Sequence, residues 1–390
     1  DDTSAAGSSG MTWRVERSTP SPMGLTNSTP TRVGTAEQSN TSIVMGDSAI
    51  LKLFRTLQSG VHPDAEVTHF LTMRAHYSHT PALLASLKFE GPDGITIGGM
   101  LQQYLPGSTD AWAYALERGK SYFSAAANTE PTNAFVADAK RLGEITRALH
   151  EALASDDDDP DFAAEPVSHE DLDRWTHRTQ RTMRESIALL ERQLAAGALP
   201  PERVPEAQAL VRRAEHYAGW VNEIDDALGD DLGMRIRTHG DYHLGQVLRT
   251  GSGEFMIVDF EGEPARPLSE RREKTSPLRD VAGMLRSFAY AAATLSMSVA
   301  KTLDAQTREL RSARWERDVR AAFLDGYLGE PHEDDHPDVL PEDEAHTRRL
   351  IALFETEKAF YELAYELNNR PTWAWIPMRG ISKLFLATNG

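Results

Sequence analysis

The chain has 390 residues, 41 basic against 59 acidic, a net charge of −18 and no cysteine. So acidic a surface is a poor partner for nucleic acid or an anionic membrane. The absence of cysteine excludes disulfides and thiolate chemistry. No apolar run approaches the roughly 20 residues of a membrane span, and the length exceeds what one core usually holds, so two lobes with a cleft between them are expected.

In chain order, the polar stretch Glu37-Gln38-Ser39-Asn40-Thr41-Ser42 comes first, with short side chains and free amides suited to capping phosphates. Ile43 to Met45 and Ile50 to Phe54 read as strands around a Gly46-Asp47 turn, with Lys52 on the second. A helix opens at Pro63-Asp64, whose acid offsets the helix dipole; Glu66 lies in its first turn, and it packs through Val67, Phe70 and Leu71. Helical periodicity covers 133–153 and is broken by the acidic run 156–159, a solvated loop. Further helices are expected over 168–196, 201–228, 278–303, 305–328 and 342–367. Leu190, Leu194, Leu210 and Val221 are among their buried positions.

Between the helices lies the most informative stretch, Thr238-His239-Gly240-Asp241 through Gln246, followed by Ile257-Val258-Asp259-Phe260-Glu261. Val247-Leu248 and Phe255–Val258 form two short strands, with Gly251-Ser252-Gly253 as the corner of a hairpin. Gln246 enters the first strand and Asp259 leaves the second, so pairing brings their oxygens to one end of the ladder. Hard oxygen ligands in this number suit Mg²⁺. Asp241, in the loop before Gln246, is placed to accept a proton from an attacking hydroxyl. No Gly-rich loop is present, which rules out a Walker A or Rossmann fingerprint. His332-Glu333-Asp334-Asp335-His336 matches the zinc-protease pattern in letters only, since Pro331 and Pro337 flank it and no apolar face accompanies it. His62, His69, His76 and His79 read as scattered imidazoles rather than a metal site.

These segments resemble the phosphotransferase fold of aminoglycoside and choline kinases, and more closely the maltokinase-type and glucosamine kinases of actinobacteria. The resemblance runs from about Arg32 to Leu384, and is carried by 36–42, 50–55, 239–246, 259–264 and 276–283. It implies an α+β, bilobal, protein-kinase-like (aminoglycoside phosphotransferase-like) fold. The divisions expected are a reduced or incomplete N-terminal cap at 1–31, an N-lobe of small antiparallel sheet at 32–105, and a helical C-lobe at 106–390. It implies ATP and Mg²⁺ as cofactors, a cytoplasmic setting, and a monomer or weak homo-oligomer acting on a small sugar or amino sugar.

Carried over by residue, the resemblance makes Asp241 the catalytic base and Gln246 with Asp259 the metal ligands. Lys52 grips the ATP phosphates, Glu66 orients Lys52, and Ser39, Asn40 and Thr41 meet the phosphates. Gln102, Gln103 and Tyr104 form the hinge at adenine, while Arg279 and Asp280 have a supporting role. For the acceptor it implies Asp241, His239, Tyr365, Glu366, Asn369 and Trp373. Glucosamine is a cation near neutral pH, and Glu366 with Asp241 would pair with its ammonium while Trp373 or Trp375 stacks on the ring. The expected reaction is glucosamine to its 6-phosphate. The alternatives are maltose to its 1-phosphate, modification of an aminoglycoside, or an inactive scaffold that kept the fold.

Overall fold

The protein is described here by a computed structural model covering residues 4–6, 12–18, 25–26, 28–34, 40–92, 94–126, 129–263, 266–329 and 338–386. Ser39 and the 332–336 motif lie outside the described residues. Chain order begins with β1 (Ser4–Ala6), β2 (Thr12–Arg17), β3 (Thr31–Val33), β4 (Asn40–Met45) and β5 (Ala49–Phe54). Helix α1 (Pro63–Met73) then leads to the long hairpin β6 (Leu83–Gly91) and β7 (Gly94–Gln103). All seven strands join one antiparallel sheet in the order β1-β2-β6-β7-β5-β4-β3.

The register of this sheet sets the lysine. Lys52 faces Ser42 on one side and Met100 on the other, and the wholly buried Met100 points toward α1. Because alternate residues share a face, Phe54 lies beside Lys52 and packs with Ala65, Leu83, Ile97 and Met100 as a small N-lobe core. Val67, Phe70 and Leu71 on the same α1 instead join the large core of the C-lobe. Helix α1 therefore belongs to both lobes.

The C-lobe is mainly helical: α2 (Ala111–Ser124), α3 (Val136–Leu153), α4 (His169–Ala195), α5 (Val204–Arg212), α6 (Ala214–Leu228), α7 (Leu268–Arg271), α8 (Leu278–Ser298), α9 (Ala305–Tyr327), α10 (Glu344–Asn369) and α11 (Trp375–Leu386). Helix α4 starts on a capping box in which Ser168 and Asp171 satisfy each other's backbone amides. The helix expected over 201–228 is two helices, parted at Arg213 where ψ rises to 5°. Helices α3 and α9 approach closely at two glycines: a Cβ on Gly143 would meet the Phe323 carbonyl and one on Gly326 the Lys140 carbonyl. Two short sheets complete the lobe among the described residues. Strand β8 (Thr109–Asp110) joins the hairpin of β11 (Val247–Arg249) and β12 (Phe255–Ile257), and β9 (Glu165–Pro166) pairs with β10 (Met234–Arg235).

Candidate active site

The catalytic hairpin has the expected register, Val247 opposite Ile257 and Arg249 opposite Phe255. Gln246 and Asp259 meet at its end, the Gln246 amide donating to Asp259 Oδ2 at 3.0 Å. Asp259 has φ of 72°, a left-handed conformation few non-glycine residues adopt, and this turns its carboxylate out of the strand. Its other oxygen, Oδ1, takes the ammonium of Lys52.

Lys52 also donates to Asp64 Oδ2 at 2.7 Å. The resemblance put Glu66 in this place, and the structure corrects it. The two acids are two residues apart, about 200° around a helix, so both cannot face the sheet. Asp64, fully buried, turns to Lys52 and accepts from the Phe260 amide at 2.9 Å through its second oxygen. Glu66 turns the other way and binds Arg237 at 2.8 Å and Arg272 at 2.6 Å. Burial works against the charge of Lys52, but Asp64, Asp259 and Glu261 outweigh it and raise its pKa. Burial likewise pushes the Asp259 carboxyl up, and Lys52 more than reverses that, leaving it below its ordinary value. The result is a cluster of ion pairs joining the two lobes.

The loop bearing Asp241 is held from beneath. Asp280, at the start of α8, accepts from the backbone amides of His239 at 2.7 Å and Gly240 at 3.0 Å, and contacts His150 Nε2 at 3.2 Å. Burial penalises this carboxylate, yet its hydrogen bonds win and its pKa is lowered. Gly283, one turn on, lets α8 reach the loop, since a Cβ there would stand 2.6 Å from the Tyr242 carbonyl. His239 does not reach the acceptor side. Buried, it donates from Nε2 to the Val258 carbonyl at 3.0 Å, and its Nδ1 lies 3.4 Å from the Asp241 amide. It thus ties the base loop to the strand that ends in Asp259.

Asp241 opens into a cleft of about 640 Å³ between this loop, residues 262–263 and 266–275, α4 and α10. Lys358 of α10 stands 3.4 Å from Asp241 Oδ1 and 3.0 Å from Glu263 Oε1. Arg178 and Arg279 bracket Glu357 at 2.7 and 2.6 Å. The acceptor residues expected further along α10 do not line this cleft. Glu366 is buried and neutralised by Arg370 at 2.6 Å, with the Tyr290 hydroxyl at 3.0 Å. Arg370 also lies 5.7 Å from the ring of Tyr365 and 5.0 Å from that of Trp373, while Asn369 donates back to the Tyr365 carbonyl. Glu366 is two helical turns past Lys358, about 12 Å at 1.5 Å per residue. There Trp373 and Trp375 are half-buried, while Asn368 and Asn369 are exposed.

On the nucleotide side, the Gln103 and Tyr104 amides are engaged within the N-lobe, donating to the carbonyls of Ala82 and Ser48 at 2.9 Å each. Gln102 is buried, and its Nε2 has no protein partner among the described residues. Asn40 Nδ2 lies 3.3 Å from Glu261, and Thr41 accepts from Arg55 on the other face of the strand. The sequence assigns no role to Lys358, places Glu263 only within the 259–264 stretch, and gives Asp64 only the offsetting of the α1 dipole. Asp64 sits three and seven residues before the apolar positions 67 and 71, but Glu66 sits four before Phe70, so spacing alone does not choose between the two acids.

A two-lobed body, a sheet lysine held against an acid that leaves a β-hairpin, and a carboxylate loop opening on a cleft make an α+β, kinase-like fold. The solved structure of a glucosamine kinase with glucosamine, ADP and inorganic phosphate superposes with a TM-score of 0.73 at 22% identity, over 95% of this chain and 79% of that one. Two curated relatives are similar over most of the chain. The glucosamine kinase of Streptacidiphilus jiangxiensis is 25% identical over 352 residues, 89% of this chain and 72% of its own length. That of Mycolicibacterium smegmatis is 26% identical over 360 residues, 88% of this chain and 76% of its own. No family model matches the sequence.

Proposed function

We propose that this chain is an ATP- and Mg²⁺-dependent sugar kinase that converts glucosamine to glucosamine 6-phosphate. The observation that carries the reaction type is the meeting of Lys52, Gln246 and Asp259 at one end of the hairpin, with Asp241 opening onto a separate cleft. The choice of glucosamine rests on the two relatives that bear that name and on their extent of similarity.

The donor set fits the metal. Asp259 supplies a carboxylate and Gln246 an amide oxygen, leaving the remaining positions to phosphate and water as Mg²⁺ prefers. When bound, the ion would neutralise charge on the phosphates and help orient them. Lys52 would exchange Asp259 for phosphate oxygens while Asp64 keeps it in place. Asp241 accepts the proton of the acceptor hydroxyl as that oxygen bonds to the γ-phosphorus. The bond from the γ-phosphorus to the β,γ-bridging oxygen breaks, and ADP leaves with the electron pair.

Maltose remains a second reading because the cleft, at about 640 Å³, has room for more than one sugar ring. ADP release with Mg·ATP against glucosamine, maltose, glucose, N-acetylglucosamine and an aminoglycoside separates the readings. Preference for glucosamine supports the proposal, preference for maltose replaces its acceptor, and silence with every acceptor refutes a sugar kinase of this range.

A further inference from the structure

Lys358 belongs to no part of the phosphate machinery, yet it is the cation nearest the base. It reaches Asp241 across 117 positions of sequence, from the face of α10 that lines the acceptor cleft. Its ammonium is shared between Asp241 Oδ1 at 3.4 Å and Glu263 Oε1 at 3.0 Å. Glu263 is held on its other oxygen by Arg266 at 2.7 Å, so the far end of the relay is fixed. Lys358 also lies 5.2 Å from the ring of Tyr361, one turn along the same helix. Burial disfavours its charge, but Glu263 and Asp241 prevail and raise its pKa, so it stays protonated throughout the neutral range.

The arrangement makes the two oxygens of Asp241 unequal. Oδ1 faces the lysine. Among the described residues Oδ2 has no hydrogen-bond partner, and His243 Nε2 stands 4.0 Å from it, beyond hydrogen-bond reach. We propose that Lys358 is the positioning residue of the acceptor side: by engaging Oδ1 it fixes the rotamer of Asp241 and leaves Oδ2 as the oxygen that takes the acceptor proton. The inference rests on the phosphoryl-transfer reading. It adds a specificity consequence. The ammonium of Lys358 already occupies the place between Asp241 and Glu263, so a cationic acceptor meets a neutralised pair there and must find its own counter-ion elsewhere on the cleft wall.

The test compares wild type with Lys358→Met, Lys358→Arg and Lys358→Ala, the last also with methylammonium added. A base released from its rotamer should lose roughly 10²-fold in kcat, the scale of a 1 Å misplacement. The KM for ATP should not change, because Lys358 touches none of the nucleotide-side residues. Arginine, and methylammonium in the alanine variant, should restore much of the loss. Glucosamine should gain relative to glucose in the apparent KM of Lys358→Met, because a like charge has been removed. An unchanged kcat in Lys358→Met, or a loss that neither arginine nor methylammonium repairs, overturns the assignment while leaving the kinase reading intact. A wild type silent with every sugar overturns the kinase reading, and the inference with it.

Discussion

At the scale of single residues, the two sides of the site differ in how they use charge. Asp241 has one engaged oxygen and one left to act, so its value lies in the chemical step. Asp241→Asn should cut turnover by the 10²–10⁴-fold typical of general-base catalysis while leaving ATP affinity nearly unchanged. Single-turnover kinetics beside equilibrium nucleotide binding would check this, and an equal loss in both would refute the assignment. His62 offers a prediction about stability instead. It stacks on Phe54 at 3.7 Å, and burial, chiefly, lowers its pKa from an ordinary 6.5 to about 4. Above pH 6.5 the ring is neutral folded or unfolded and has no effect. As pH falls below 6.5 the unfolded chain takes up a proton that the folded chain refuses, so stability declines until about pH 4 and then levels. His62→Phe keeps a ring on Phe54 and should flatten that part of the profile. Denaturant melts between pH 4 and 7, with the ring titrated by NMR, would measure it; a midpoint near 6.5 would contradict the depressed value.

At the scale of elements, α1 carries two acids with different duties. Asp64 links Lys52 to the amide after Asp259, whereas Glu66 bolts the helix to Arg237 and Arg272 of the C-lobe. Burial raises the Glu66 carboxyl, and its two arginines reverse this and lower it. Asp64→Asn should therefore weaken ATP binding and turnover, while Glu66→Gln should lower the melting temperature with a smaller effect on either; the reverse ranking would restore Glu66 to the lysine. The same contrast explains what was legible in the sequence. Gln246 and Asp259 lie 13 residues apart across a tight hairpin, and local alternation with a glycine corner is enough to predict that they meet. The partner of Lys52 depends on an angle around a helix, and two acids in one turn gave the pattern a choice it could not make alone. Contacts such as Glu66 with Arg237, 171 positions apart, leave no periodic trace at all. Glu366 misled for a related reason, because its neutralising Arg370 is one turn away on the same helix and was visible, but the burial that closes the pair to substrate was not.

At the scale of the whole molecule, the lobes are held together by the charges that catalysis has to rearrange. Lys52 and Asp64 come from the N-lobe side, Asp259 and Phe260 from the C-lobe, and the lysine is paired with both Asp64 and Asp259. On the proposed function, a magnesium ion arriving alone would compete with Lys52 for Asp259, and like charges would disfavour both being present. ATP would remove the conflict, since its phosphates would receive Lys52 and release the carboxylate. Metal and nucleotide would then be coupled through one ion pair, and linkage would make the coupling reciprocal. We expect Mg²⁺ alone to raise the melting temperature little, and its affinity to rise by about 5- to 150-fold with a non-hydrolysable ATP analogue present, the usual span of such couplings. Lys52→Met removes the competitor, so it should strengthen binding of Mg²⁺ alone while weakening that of the nucleotide. Calorimetric titration of both ligands, separately and together, on wild type and this variant closes the cycle. If Mg²⁺ binds the wild type equally well with and without nucleotide, the Lys52–Asp259 pair is not the element that couples them.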